Sequence, residues 1–296
     1  MSTVDPNPLA ASGNLRRRRR TDRLMRGLAT AAAVIAVAIL VIVIVTVAEK
    51  GASQLSLSFL FKDPHTSLNG LTGGIANALA GTGLIVALAT VMALPIGVLV
   101  AVYLTEFSTA RTARPVRLVL DLLNGMPSIV IGVFVYGLVV AGHGQVGWAG
   151  SLGLAIIMVP LIARATSEML MLVPRELRDA SHALGMSRWR TIVGIVLPSA
   201  LGGILTGTVL AIARAAGETA PLLLTTAIFS DSTTINIFGT PIPNIPVMIF
   251  QLSESAAPSD HARAWGAALV LIVLILIGNL SARAMLERQR RKLQAR

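Results

Sequence analysis

The chain has 296 residues, of which 54% are hydrophobic and only 13% charged, with a mean hydropathy of +0.75 and a formal charge of +11. That apolar content exceeds what a soluble domain of this length carries, so the chain reads as an integral membrane protein. Aromatic residues make up only 4%, and the basic residues flank apolar runs, which argues against nucleic-acid binding; the lack of cysteine excludes disulfides and thiolate metal sites.

Residues 1–27 form a polar, arginine-rich arm, expected to be disordered or to lie on anionic lipid headgroups. Leu28 to Ala48 is an uncharged run of 21 residues, enough at 1.5 Å per residue to cross a hydrocarbon core of about 30 Å. A cleaved signal peptide would have a shorter apolar core nearer Met1. Further spans are predicted at about 75–104, 119–141, 150–173, 199–229 and 264–286, each bounded by charge, Gly or Pro. The predicted fold class is thus all-α integral membrane with six transmembrane helices. Between the last two spans runs a long connection, 230–263, with Pro241, Pro243 and Pro246 ahead of Val247-Met-Ile-Phe-Gln-Leu. This stretch reads either as a short amphipathic surface helix or as a packed loop.

Charge bias orients the spans. Arg16 to Arg20, Arg23 and Arg26 precede the first one, which puts the amino terminus in the cytoplasm by the positive-inside rule. Arg111, Arg114 and Arg117, then Arg175, Arg178, Arg188 and Arg190, then the basic tail 287–296, fall on the same side. Only Lys50, Lys62 and Arg263 fall on the other. Both termini and the 174–196 loop are therefore expected inside.

That loop is a charged helix-Gly-helix segment between apolar spans. Pro174 to Leu184 holds mostly helix formers, Gly185 stands where a left-handed residue ends a helix, and Met186 begins a second helix. Ala180, Ala183 and Leu184 share a small apolar face, while Arg175, Glu176, Arg178 and Asp179 point elsewhere. By itself this pattern fits a knob docked into another protein or a plain interfacial helix.

Two Arg-to-Glu pairs lie inside predicted spans, each four residues apart: Arg214 with Glu218, and Arg164 with Glu168 toward the inner end of its span. Ionised groups at mid-bilayer cost roughly 2.5–3.5 kcal/mol each even on the lenient scale, so they face a cavity or a partner. Each pair reads as an anion-handling site or as a self-neutralising brace between helices. Arginine suits an oxyanion because its rigid fork donates two parallel hydrogen bonds and stays charged when desolvated. A neighbouring carboxylate can accept a proton-bearing oxygen, which favours phosphate over sulfate. Pro127 breaks the third span, and Ser128 there is either a pathway hydroxyl or part of a simple kink. His65, His143, His182 and His261 lack metal-ligand spacing, and none of the three lysines follows a Gly-rich phosphate loop.

With Asp179, Ala180, Ser181, Gly185, Ile195, Leu197 and Pro198, the loop resembles the coupling loop of ABC-importer permeases. That family's pattern is Glu-Ala-Ala, three residues, Gly, nine residues, Ile, one residue, Leu-Pro. Every spacing is kept, with Asp for Glu at 179 and Ser for Ala at 181. Ala213 to Leu222 and Asn124 to Gly132 are similar to the fifth- and third-span signatures of phosphate-importer permeases. Leu172-Val-Pro and Asn244-Ile-Pro-Val look like the PstA subtype. The resemblance covers about 70–286 and implies a type I (MetI-like) permease core. It implies Arg214, Glu218, Arg164 and Ser128 along a phosphate pathway, and Asp179, Ala180, Ser181 and Gly185 in contact with an ATPase. Implied partners are a PstC-like sister permease, two ATP-binding subunits that hold ATP and Mg, and an external phosphate-binding protein, all at a bacterial inner membrane. No cofactor is expected in this chain. The alternatives are a permease for sulfate or molybdate, an ion-coupled secondary anion transporter, which would need repeat-related broken helices, and a structural scaffold.

Overall fold

The computed structural model describes residues 14–67, 70–227, 233 and 236–294, and divides into two compact units, 1–49 and 50–296. Helix α1 runs Asn14–Ala52, and its apolar side chains from Leu28 to Val45 are exposed, as suits a span that meets lipid. From Asn14 onward the basic arm is helix, continuous with the span. Residues 1–13 lie outside the described residues.

In the second unit, α2 (Leu57–Phe61) starts where the Ser56 hydroxyl accepts from the Phe59 amide. A hairpin unforeseen in the sequence follows: β1 (Pro64–Ser67) pairs antiparallel with β2 (Gly70–Gly73), Pro64 opposite Gly73. Gly73 takes a φ of 84°, and its carbonyl accepts from Arg263 at 2.9 Å. Helix α3 (Ala76–Val102) continues into a π-turn, Tyr103–Phe107.

The third expected span, 119–141, is two helices. Helix α4 (Ala110–Gly125) opens on a Thr109–Thr112 capping box and stops before Met126-Pro127; α5 (Ser128–Val135) and a π-turn (Tyr136–Val140) leave at 100° to it. Pro127 forces the break because a residue before proline is driven out of helical geometry. Helix α6 (Gly147–Met171) is the central element. Ser151, Leu154, Met158, Ile162, Ala163, Thr166 and Leu170 are wholly inaccessible, and α3 and α9 pack along it.

After α7 (Arg175–Ala183) and α8 (Arg188–Thr191), a π-turn (Ile192–Val196) leads into α9 (Leu197–Ala216). The fifth span is also broken, contrary to expectation: Gly217 ends α9, and α10 (Ala220–Thr225) restarts after Thr219. Pro221 is the cause, since its ring would collide with the carbonyl of Gly217 in an unbroken helix. The 247–252 segment is helical, within α11 (Ile245–Ser253). It is packed inside, with the Ile245 amide bonded to Thr82 Oγ1 at 2.9 Å and Val247, Met248 and Leu252 buried. Helix α12 (Pro258–Gln294) runs beyond the expected limits at both ends. Among the described residues five helices are long and apolar enough to cross a membrane, six with α4–α5 as one bent span.

Small residues set the close approach of α9 to α6. A Cβ on Gly207 would strike the Cβ of Ala165, and one on Gly203 would strike the Met169 side chain. Membrane helices gain little from apolar burial against lipid, so such contacts carry much of the packing. Gly207→Leu should destabilise the protein by about 1–3 kcal/mol. Gly203→Ala should cost less because Met169 can move aside. Thermal unfolding of the purified variants in detergent checks this ranking.

Candidate functional site

A cavity of about 820 Å³ lies between α4, α6, α9 and the Tyr103–Phe107 π-turn. Gly207 and Gly203 lie against Ala165 and Met169, so α6 and α9 are antiparallel there. Arg214, two turns beyond Gly207, is therefore about 10 Å further along, level with the middle of α6. The cavity wall runs from Arg214, Pro160 and Leu161 down to Met171, Leu104 and Thr105, at the end where α6 leads to α7.

Arg164, Glu168 and Arg214 all line this space. Arg164 Nε lies 3.7 Å from Glu168 Oε1, with both side chains largely exposed. Arg214 sits in the last turn of α9 and Glu218 lies beyond the cap, yet the Nε–Oε1 distance is again 3.7 Å. The four-residue spacing is thus realised across a helix break and not along one face. At that distance each pair is a charge contact, not a hydrogen bond, so the guanidinium donors keep free directions. The side chain of Arg214 is 53% exposed and that of Glu218 only 18%, so Arg214 is the one that reaches into the opening. Neither Glu218 nor Ser128 lines the cavity. Ser128 heads α5, which packs against α10: a Cβ on Gly132 would meet Pro221 Cα at 2.8 Å.

The α4 wall escaped the sequence reading. Arg117, Asp121 and Asn124 line the cavity at intervals of four and three, one face of a helix. That spacing was the available signal, but Arg117 had been read only as part of the charge bias. Ser167 Oγ, also on the wall, is buried without a hydrogen-bond partner.

The 174–196 loop is built as two helices about Gly185, whose φ is +77° with nothing near its Cβ position. Asp179, Ala180, Ala183 and Gly185 are exposed, and Leu184 is 83% exposed. Ser181 differs from that expectation. It is buried, donates to Arg178 O at 2.7 Å and shares a 2.8 Å hydrogen bond with Thr191 Oγ1. It clasps α7 to α8, so its side chain faces the inside of the loop and not its exposed surface. The Ser-for-Ala departure at 181 thereby acquires a physical reason. Arg178, expected to point away, instead turns inward to Glu106.

Apolar spans, a cavity lined by charged side chains and an exposed helix-Gly-helix loop at one end are the features of a membrane transport subunit. The model of the family described as "Binding-protein-dependent transport system inner membrane component" matches residues 93–293, and the chain belongs to that family. It is 38% identical to the phosphate transport system permease protein PstA of Yersinia pestis over 275 residues, 92% of each chain. It is 42% identical to phosphate transport system permease protein PstA 1 of Mycobacterium tuberculosis (strain CDC 1551 / Oshkosh), over 71% of this chain and 69% of the relative. Two solved structures share the fold. One is a bacterial ABC transporter involved in the import of the acidic polysaccharide alginate, with a TM-score of 0.64, 16% identity, and coverage of 93% of this chain and 99% of that one. The other is an inward-facing MetNI methionine ABC transporter, with a TM-score of 0.57, 19% identity, and coverage of 73% and 94%. The fold is that of the type I importer permeases, and the chain is a multi-pass inner-membrane transport subunit.

Because the space around Gly185 is open, its constraint is the left-handed backbone alone. Gly185→Val should therefore destabilise the loop by about 1–2 kcal/mol through backbone strain. Gly185→Asn, which tolerates that conformation, should cost less. Thermal unfolding of the purified variants in detergent separates the two.

Proposed function

We propose that this chain is a phosphate-conducting permease subunit of an ATP-driven importer. The observation that carries the reading is the cavity, which brings Arg164, Glu168 and Arg214 to one space reaching from mid-span to the end of α6 that leads into α7. The relatives from Yersinia pestis and Mycobacterium tuberculosis, both phosphate transport system permease proteins, support phosphate as the anion. Arg214 donates to the oxyanion, and Glu218 holds the guanidinium between passages, keeping the arginine from becoming a permanent stop. A transport site must release what it binds, so tight binding belongs to an external phosphate-binding protein.

The chain pairs with a sister permease, and two ATPase subunits that bind ATP and Mg dock on the exposed part of the loop, Asp179, Ala180 and Gly185. Both termini face the cytoplasm, as the arginine bias supports. Hydrolysis in the docked subunits alternates the cavity between outward and inward access.

Radiolabelled phosphate uptake into ATP-loaded proteoliposomes containing the complete complex tests this. Arg214→Ala should lower uptake by roughly tenfold to a hundredfold, the worth of a lost charged hydrogen bond, with Arg214→Lys falling between. Unchanged uptake in Arg214→Ala would make the pair a brace. A competent complex that ignores phosphate but carries sulfate or molybdate would replace the substrate.

A further inference from the structure

The Tyr103–Phe107 π-turn touches three things with consecutive side chains. Leu104 and Thr105 line the cavity. Glu106 Oε1 accepts from Arg178 Nη2 at 2.8 Å and Nε at 3.2 Å. The Phe107 ring lies under the Arg188 guanidinium, 4.9 Å from its centroid, and 6.4 Å from the Trp189 ring. One short element thus joins the cavity wall to both helices of the exposed loop.

The Arg178 guanidinium makes four hydrogen bonds. Besides Glu106, its Nη1 donates to Val173 O at 2.6 Å and Nη2 to Leu170 O at 2.9 Å, the carbonyls at the end of α6. The side chains are 19% and 10% exposed for Arg178 and Glu106. In so sheltered a place the pair is charge-assisted and geometrically fixed, unlike the loose contacts at Arg164 and Arg214. Removing either charge leaves the other sheltered and unpaired. The turn around it is dense: Leu170, Val173, Ile192, Val196, Ala101 and Val102 form one buried cluster. Stiff packing and fixed hydrogen bonds transmit displacement, whereas π-turns interrupt the helical ladder, often at functional positions.

We propose that Glu106 and Arg178 are positioning residues for transport: they form a strut through which movement of the loop reaches the cavity wall by way of the Tyr103–Phe107 π-turn. When α7 shifts, Arg178 carries Glu106 with it, and Leu104 and Thr105 move in the wall. Neither residue touches the anion. Phe107 adds a second, weaker connection to α8. The inference rests on the reading of the loop as the ATPase contact.

The test is the number of oxyanions imported per ATP hydrolysed by the complete complex in proteoliposomes. Glu106→Gln keeps the shape and removes the charge. It should leave ATP hydrolysis near that of the unmodified complex while the ratio falls at least about fivefold, the low end of allosteric coupling. Arg178→Lys, which keeps the charge but loses the fork, should lower the ratio too, and Phe107→Ala should lower it less. Glu106→Gln combined with Arg178→Lys should fall less than the two separate effects multiplied, because both break one strut. A ratio unchanged in Glu106→Gln, even if both rates drop together, would overturn the strut and leave the pair a structural brace. Should the Gln variant fail to assemble, Glu106→Asp, which withdraws the carboxylate by one methylene, is judged on the same ratio. Loss of ATP-dependent uptake in the unmodified complex itself would overturn the transport reading and the strut together, whereas normal uptake with an unchanged variant ratio would overturn the strut alone.

Discussion

The cavity is positioned by how closely α3, α9 and α10 approach α6. Gly97 of α3 lies against Ile162, Gly207 and Gly203 of α9 lie against Ala165 and Met169, and Gly153 of α6 faces Pro221 of α10. In lipid, helices gain no hydrophobic advantage by leaving a hydrocarbon environment for each other, so van der Waals fit at short range has to hold them. Glycine and alanine supply that fit, which explains why α6 contributes buried Gly147, Ala149, Gly150, Ser151, Gly153 and Ala155 in succession. Arg164 and Glu168 then emerge on the side of α6 that the small-residue contacts leave uncovered.

Two proline-driven breaks shape the remaining walls. Pro127 turns the chain through 100° so that α4, with Arg117, Asp121 and Asn124, closes one side of the cavity. Pro221 ends α9 early enough for Arg214 to stand in a helix's last turn, where a cation meets the favourable end of the helix dipole. Glu218 follows in non-helical backbone. The break therefore leaves the charged pair more adjustable than two residues on one continuous helix. Irregular backbone at such a depth is tolerated where it lines a cavity or is packed in protein.

The reach of the sequence differs from element to element. Gly185 was legible because its role is conformational and the surrounding spacing is long, and its φ of +77° agrees with that reading. The Arg–Glu pairs were legible from the cost of charge in an apolar run. The break within the Arg214–Glu218 pair was not, because a spacing of four looks helical until the effect of Pro221 on Gly217 is worked out. The burial of Ser181 was not legible, because only the fold of α8 back onto α7 brings Thr191 to its hydroxyl. The β1–β2 hairpin carries no alternating apolar pattern, and the Asn69-Gly70 dipeptide, a turn signal, was the one pointer to it. Glu106 was invisible for a different reason. Its partner is 72 positions away, and neither residue is unusual in its own segment.

Helix α1 is 39 residues long, about 58 Å at the standard rise, nearly twice a hydrocarbon core. Its arginines at 17, 18, 19 and 20 are successive positions on that helix, so they fan around the axis through about 300° and do not share a stripe. A helix charged on every side cannot lie flat with an apolar face in the headgroups, and it cannot slide inward without carrying several guanidinium groups into hydrocarbon. Charge spread around the axis in this way opposes both lying flat on the headgroups and sinking into the hydrocarbon core.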